Sequence, residues 1–161
     1  MTQTEISRSN RPLTEFVCRF LAQFLTGKHL GEGREQRGNT TVYYSANTYK
    51  QKFSVSIFDK QIFEILMDRW TPSSILISFG EYWDDYGRPT TTTVERLNGL
   101  LNRLAIFRVI PNNVRIFRDP EHKLSYIGRF DEKIAVGKNY ARSIEIKPDQ
   151  HNLILVGGEL Q

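Results

Sequence analysis

Residues 52–57 read Lys-Phe-Ser-Val-Ser-Ile. Phe53, Val55 and Ile57 alternate with Lys52, Ser54 and Ser56, a period of two that marks a strand with one buried and one solvated face. The residues on either side extend this β reading. Thr41 to Ser45 supplies a partner strand, with the turn near Ala46-Asn47. Ile75-Leu-Ile-Ser-Phe79 reads as a buried strand. Between them, Asp59 to Trp70 admits two patterns: Ile62, Ile65 and Leu66 suit a helix capped by Asp59, whereas Phe63, Ile65 and Met67 suit a strand. Pro72, a natural helix stop, favours the helix. Upstream, Gly31-Glu-Gly-Arg-Glu-Gln-Arg-Gly38 is polar and glycine-punctuated, and reads as a mobile surface loop.

Two amphipathic helices flank this centre. Leu13, Phe16, Val17, Phe20, Leu21, Phe24 and Leu25 recur at helical spacing behind Asn10, a cap, and Pro12, a first-turn residue; Gly27 ends the run. A second helix spans about Thr93 to Ala105, with Val94, Leu97, Leu101 and Leu104 as its apolar stripe. Thr92 and Glu95 stand in the spacing of a capping box. Short strand candidates follow at 106–110, 114–118, 123–128, 133–136, 142–147 and 152–156. Pro111-Asn112-Asn113 and Lys147-Pro148-Asp149 are the turn phrases among them. The fold class is therefore α+β, with two or three helices packed on a predominantly antiparallel, strand-rich body. Residues 1–9 read as a flexible tail and 10–161 as one compact domain.

The chain has 161 residues, 25% of them charged and 39% hydrophobic, which excludes a disordered or collagen-like polymer. Its length suffices for a core without metal or disulfide staples. No apolar run is long enough for a membrane helix, and the first eleven residues lack the apolar centre of a signal peptide. Cys18 is the single cysteine. These features point to a cytoplasmic protein with no cofactor and no membrane partner. The net charge of +4 is a weak pointer to nucleic acid, because an acidic loop and a basic run lie side by side and nearly cancel.

The basic run is the first candidate site. Arg96, Arg103, Arg108, Arg115 and Arg118 follow one another with no acid after Glu95. Arg96 and Arg103 share a helix face, with Asn98, Gly99 and Asn102 close by. Guanidinium forks suit phosphates, asparagine amides suit base edges, and Gly99 permits close approach of another backbone. A helix followed by a hairpin also has the outline of a winged DNA-binding element. If Pro111-Asn112-Asn113 closes that hairpin, Ile110 pairs with Val114 and sends Arg108 and Arg118 to one face and Arg115 to the other. Only a subset of the arginines can then join the helix pair. The nucleic-acid candidates are Arg96, Asn98, Asn102, Arg103, Arg108 and Arg118.

The alternative is a protein-interaction or inhibitor module built on Glu81, Tyr82, Trp83, Asp84, Asp85, Tyr86 and Arg88. This segment holds three aromatics and three carboxylates between two glycines, and tyrosine and tryptophan commonly anchor interfaces. Three carboxylates before the basic helix repel phosphate, so the segment suits a protein partner better.

A distant third possibility is a Mg²⁺-dependent nuclease. Asp131, Glu145 and Lys147 resemble the PD-(D/E)xK nucleases in residue type, and a strand at 142–147 puts Glu145 and Lys147 on one face. The turn from Pro148 departs from the helix which that pattern expects. His29, His122 and His151 are scattered, without metal-ligand spacing. Cys18 reads as packing rather than nucleophile, and no set of nucleophile, base and oxyanion donors can be assembled. The sequence thus favours a non-enzymatic binding protein with no catalytic or metal residues, and leaves its oligomeric state open.

Overall fold

A computed structural model describes residues 3–27, 31–47, 49–68, 71–78, 90–110, 114–119, 124–129, 144–146, 152–156 and 159–160. The architecture is α+β. Helices α1 (Gln3–Leu25) and α2 (Thr91–Ile106) accompany strands β1 (Gly31–Arg37), β2 (Thr40–Ala46), β3 (Lys50–Ile57), β4 (Lys60–Asp68), β5 (Thr71–Ser78), β6 (Val114–Asp119), β7 (Leu124–Arg129), β8 (Ile144–Ile146), β9 (Asn152–Val156) and β10 (Glu159–Leu160). One sheet runs β1-β2-β3-β4-β5-β9-β10 and a second runs β6-β7-β8. Every pairing in both is antiparallel.

The alternation in β3 sets the inner face. Val42 pairs with Val55, Phe53 with Ile65, Val55 with Phe63 and Ile65 with Ile75, so the apolar side chains form rows across the sheet. These rows meet Phe16, Val17, Leu21 and Phe24 of α1 and Leu97, Leu100, Leu101 and Leu104 of α2 in one core. Aromatic rings continue from helix to sheet: Phe24 lies 5.5 Å from Phe53, and Phe53 lies 6.2 Å from Phe63. At the edge, Phe20 stacks 6.4 Å from Tyr44.

Several local expectations are corrected. Residues 60–68 form strand β4, not a helix. A bulge explains the misleading pattern. Val55 faces Phe63 while Ser56 faces Gln61, which leaves Ile62 as the extra residue. Ile62 and Phe63 are both fully buried, so the period of two breaks at that point. Pro72 belongs to β5, beside a second register shift, where a missing amide is tolerated.

Residues 31–37, read as a mobile loop, are an edge strand paired along its length with β2. Its charged residues suit an edge that must not recruit another strand. Gly33 leaves room for the Tyr44 ring, whose far end would have to shift to admit a Cβ there. Helix α1 begins at Gln3, not at an Asn10 cap, and Pro12 lies inside it. No glycine or proline interrupts residues 3–11, so nothing local stops the helix at Asn10.

The cap of α2 also differs. Thr90, with φ −64° and ψ 156°, accepts the Thr93 amide, so the Thr92/Glu95 box does not start the helix. A threonine does cap the helix, but it stands two residues earlier and faces Thr93 where a capping box has glutamate or glutamine. The expected strands at 114–118, 123–128, 142–147 and 152–156 correspond to β6, β7, β8 and β9, whereas 133–136 lies outside the described residues. The correction at 106–110 bears on the candidate site and is taken up there.

The β3–β4 turn holds a strained residue. Phe58 has φ 53°, a left-handed conformation that a side chain disfavours, and its ring is 65% exposed. Its amide donates to the Asn39 carbonyl at 2.6 Å, tying this turn to the neighbouring one. Phe58→Gly keeps that bond and releases the strain. It is expected to stabilise the protein by about 1 kcal/mol, read as a higher urea midpoint at unchanged m-value.

Candidate functional site

The second half of α2 and the turn after it carry Arg103 and Arg108. Residues 106–110 do not form a strand. Ile106 ends the helix, Phe107 caps it, and Arg108 turns left-handed at φ 60°. The Arg108 amide donates to Ala105 O and the Val109 amide to Leu104 O, both at 2.9 Å. These two bonds define a Schellman ending, whose left-handed position is usually glycine. The hairpin expected between Ile110 and Val114 is absent because β6 pairs with β7 instead, Val114 opposite Arg129. A helix followed by a hairpin survives, but the hairpin is the next one along the chain.

The arginine run therefore divides. Arg96 is fully buried, and its Nη1 donates to Thr14 Oγ1 at 2.8 Å. Its Nε reaches Thr40 Oγ1 at 3.5 Å, so its guanidinium serves the junction of α1, α2 and β2 and does not face solvent. Burial holds its pKa below the ordinary arginine value, an effect opposed by Glu95 and, less strongly, by Cys18.

Asn98 is also committed to the protein. Its Nδ2 donates to Ile116 O at 2.8 Å, and its Oδ1 accepts the Ile116 amide at 2.7 Å. One side-chain amide thus fastens α2 to the backbone of β6. Asn98→Ala is expected to cost about 2 kcal/mol for the two bonds in urea denaturation. Asn98→Asp should cost at least as much, because it sets a carboxylate against the Ile116 carbonyl.

What approaches Gly99 is not another backbone but the side chains of α1: a Cβ there would fall on Thr14 Cγ2 and lie 3.4 Å from Cys18 Sγ. Cys18 is buried at this contact. Its thiol is pushed up from the usual value by desolvation, against the opposing influence of Arg103 and Arg96.

The cations that do reach the surface are Arg103, half-buried beside Cys18, and the exposed Arg108 and Arg115; Asn102 is exposed as well. Ile106 is 61% exposed and Phe107 36% exposed between Arg103 and Arg108. Arg118 stands in β6 opposite Ser125, with its side chain outside the described set. Sequence reasoning misses the apolar pair Ile106–Phe107, because it assigns both to a strand. The signal available is the lack of a glycine where the helix has to end.

The aromatic–acidic segment, Glu81, Tyr82, Trp83, Asp84, Asp85, Tyr86 and Arg88, lies outside the described residues, as do Asp131 and Lys147. Glu145 lies in β8, opposite Tyr126. Among the described residues, no group of three His, Cys, Asp or Glu could hold a metal ion. No described helix is long and apolar enough to cross a membrane. No protein-family model matches this chain, and neither a curated protein nor a solved structure matches it.

Proposed function

We propose that this is a non-enzymatic binding protein that contacts nucleic acid through the C-terminal end of α2, with Asn102, Arg103 and Arg108 as its polar contacts. One observation carries the reading. Arg108 is exposed and occupies a left-handed position where glycine is less strained. Strained side chains held on a surface are a pointer to function. Arg103 and Arg108 supply cations for phosphates, Asn102 an amide for a base edge, and Phe107 a ring on which a base can stack. Arg96 and Asn98 act through position: they hold α2 against α1, β2 and β6. The sequence adds a supporting feature, since no acidic residue occurs from Arg96 to Arg118.

The test is retention of single-stranded and duplex oligonucleotides over a series of salt concentrations. Phosphate neutralisation makes log K fall linearly with log salt, and removing one phosphate-binding cation reduces the slope by about one. Arg108→Gly should therefore weaken binding while raising stability by about 1 kcal/mol, two effects of opposite sign from one substitution. If Arg103→Ala/Arg108→Gly binds with unchanged affinity and unchanged salt slope, the reading is wrong.

A second reading, protein interaction through Tyr82, Trp83 and Tyr86, is favoured by Phe58. That exposed, strained ring stands at the end of the sheet where β5 finishes at Ser78, next in the chain to the segment that contains those aromatics. Aromatic residues are enriched at the anchors of interfaces.

A further inference from the structure

A concavity lies on the outer face of the large sheet, opposite the apolar rows that meet the helices. Residues directly opposite in the ladder share a face. Tyr43 opposes Ser54, Ser45 opposes Lys52, Thr41 opposes Ser56, and Ser56 opposes Gln61. Tyr43, Ser45, Lys52, Ser54, Ser56 and Gln61, together with Glu32 of β1, line a concavity of about 270 Å³. The bulge between Val55 and Ser56 lies in its floor, and bulges re-aim side chains and are common beside binding sites.

The floor is unusual for a solvated sheet face. Ser54 is 4% exposed and Ser56 9%, yet among the described residues neither hydroxyl is hydrogen-bonded within the protein, and the Gln61 amide is equally unused. Neither hydroxyl is sealed from the concavity, since no serine or glutamine polar atom among the described residues is both fully buried and unbonded. Two buried serines and the half-buried Gln61 thus hold polar atoms that meet only solvent in the concavity, and an entering ligand can take the place of that water. At the rim Tyr43 is held in place: Arg34 Nε donates to its hydroxyl at 3.0 Å and the guanidinium carbon lies 5.6 Å from the ring centre.

The charges select the ligand class. Glu32 and Lys52 cancel within the lining, and Lys52 is further met by Glu64 at 3.2 Å. A phosphate would find no net positive field. A neutral molecule whose groups both donate and accept would match the serine hydroxyls and the glutamine amide. The volume lies just under the range of about 300–1,000 Å³ typical of drug-sized ligands. We infer that the outer face of the sheet binds a small neutral polyhydroxylated ligand of monosaccharide size, with Ser54, Ser56 and Gln61 as its hydrogen-bonding floor and Tyr43 as its aromatic wall.

Saturation-transfer NMR on the full chain with glucose, galactose, mannose and N-acetylglucosamine tests this assignment. At least one pyranose should receive saturation from the wild type. Its affinity should drop fivefold or more in Ser54→Ala/Ser56→Ala and, separately, in Gln61→Leu, each checked for wild-type amide dispersion. Binding should be unchanged in Arg103→Ala/Arg108→Gly, which keeps this site distinct from the nucleic-acid proposal. Absence of transfer to all four sugars, equal affinity in the floor variants, or displacement of the sugar by inorganic phosphate would each overturn it.

Discussion

Arg96→Ala is expected to destabilise the protein by about 3 kcal/mol. Arg96 is the largest fully buried side chain among the described residues, and it ties three elements together. Its Nη1 bond to Thr14 anchors α1, its contact with Thr40 anchors the start of β2, and its backbone belongs to α2. Thr40 in turn donates to Asn39 Oδ1 at 2.9 Å, so the junction reaches the β1–β2 turn. Alanine leaves a cavity where the stem and guanidinium were and removes a partner of the buried Thr40 hydroxyl. Arg96→Met separates volume from charge. It fills the space without a desolvated cation, and buried charges replaced by apolar groups of similar size are often tolerated. The methionine variant should therefore lose less than half of what the alanine variant loses. Urea unfolding followed by tryptophan fluorescence measures both. Equal losses in the two variants would show that the polar contacts, not the packing, carry the effect.

Gly99→Ala is expected to cost about 2 kcal/mol, although alanine in a helix interior gains about 1 kcal/mol over glycine. The loss comes from the contact with α1, where the new methyl would meet Thr14 Cγ2. Thr14 cannot rotate away freely, because its hydroxyl accepts from Arg96 at 2.8 Å. Relief requires either losing that bond or moving the helices apart. Thr14→Ser removes the offending methyl and keeps the hydroxyl, so Thr14→Ser/Gly99→Ala should recover most of the loss. A double-mutant cycle by urea denaturation checks this, and strict additivity of the two substitutions would refute the steric account.

The legibility of the fold follows the range of the interactions involved. The inner face of β3, the apolar stripes of α1 and α2 and the β2–β3 turn are readable because each carries a local signal, a repeated period or a turn phrase. Strand β4 is misleading where one bulged residue, Ile62, puts two consecutive apolar side chains into the core. Strand β1 carries almost no β signal of its own. It is a strand because β2 offers it a full ladder of backbone partners, and pairing of that kind has no local trace.

The candidate site is legible in part, for the same reason. That arginines and asparagines concentrate in and after α2 is a property of the sequence, as is Gly99's permission for close packing. Which arginines face water is not. Arg96 and Arg103 are seven apart and near one face of the helix, yet the first lies where α1 and β2 close over it and the second nearer the open end. The concavity on the outer sheet face is invisible in the sequence for a related reason: Ser54 and Ser56 look like the solvated half of an alternating strand. Only the register of β2, β3 and β4, with its bulge, turns them into the floor of a hollow.

Period and charge order by themselves determined that this chain is α+β, which apolar stripes its two helices carry, and that its charge is locally divided. The tertiary structure alone decided which polar side chains are spent inside the protein and which remain for a partner. The physical reason is that burial is a property of what other segments cover, and those segments lie far along the chain: Thr14 and Thr40 for Arg96, and Ile116 for Asn98.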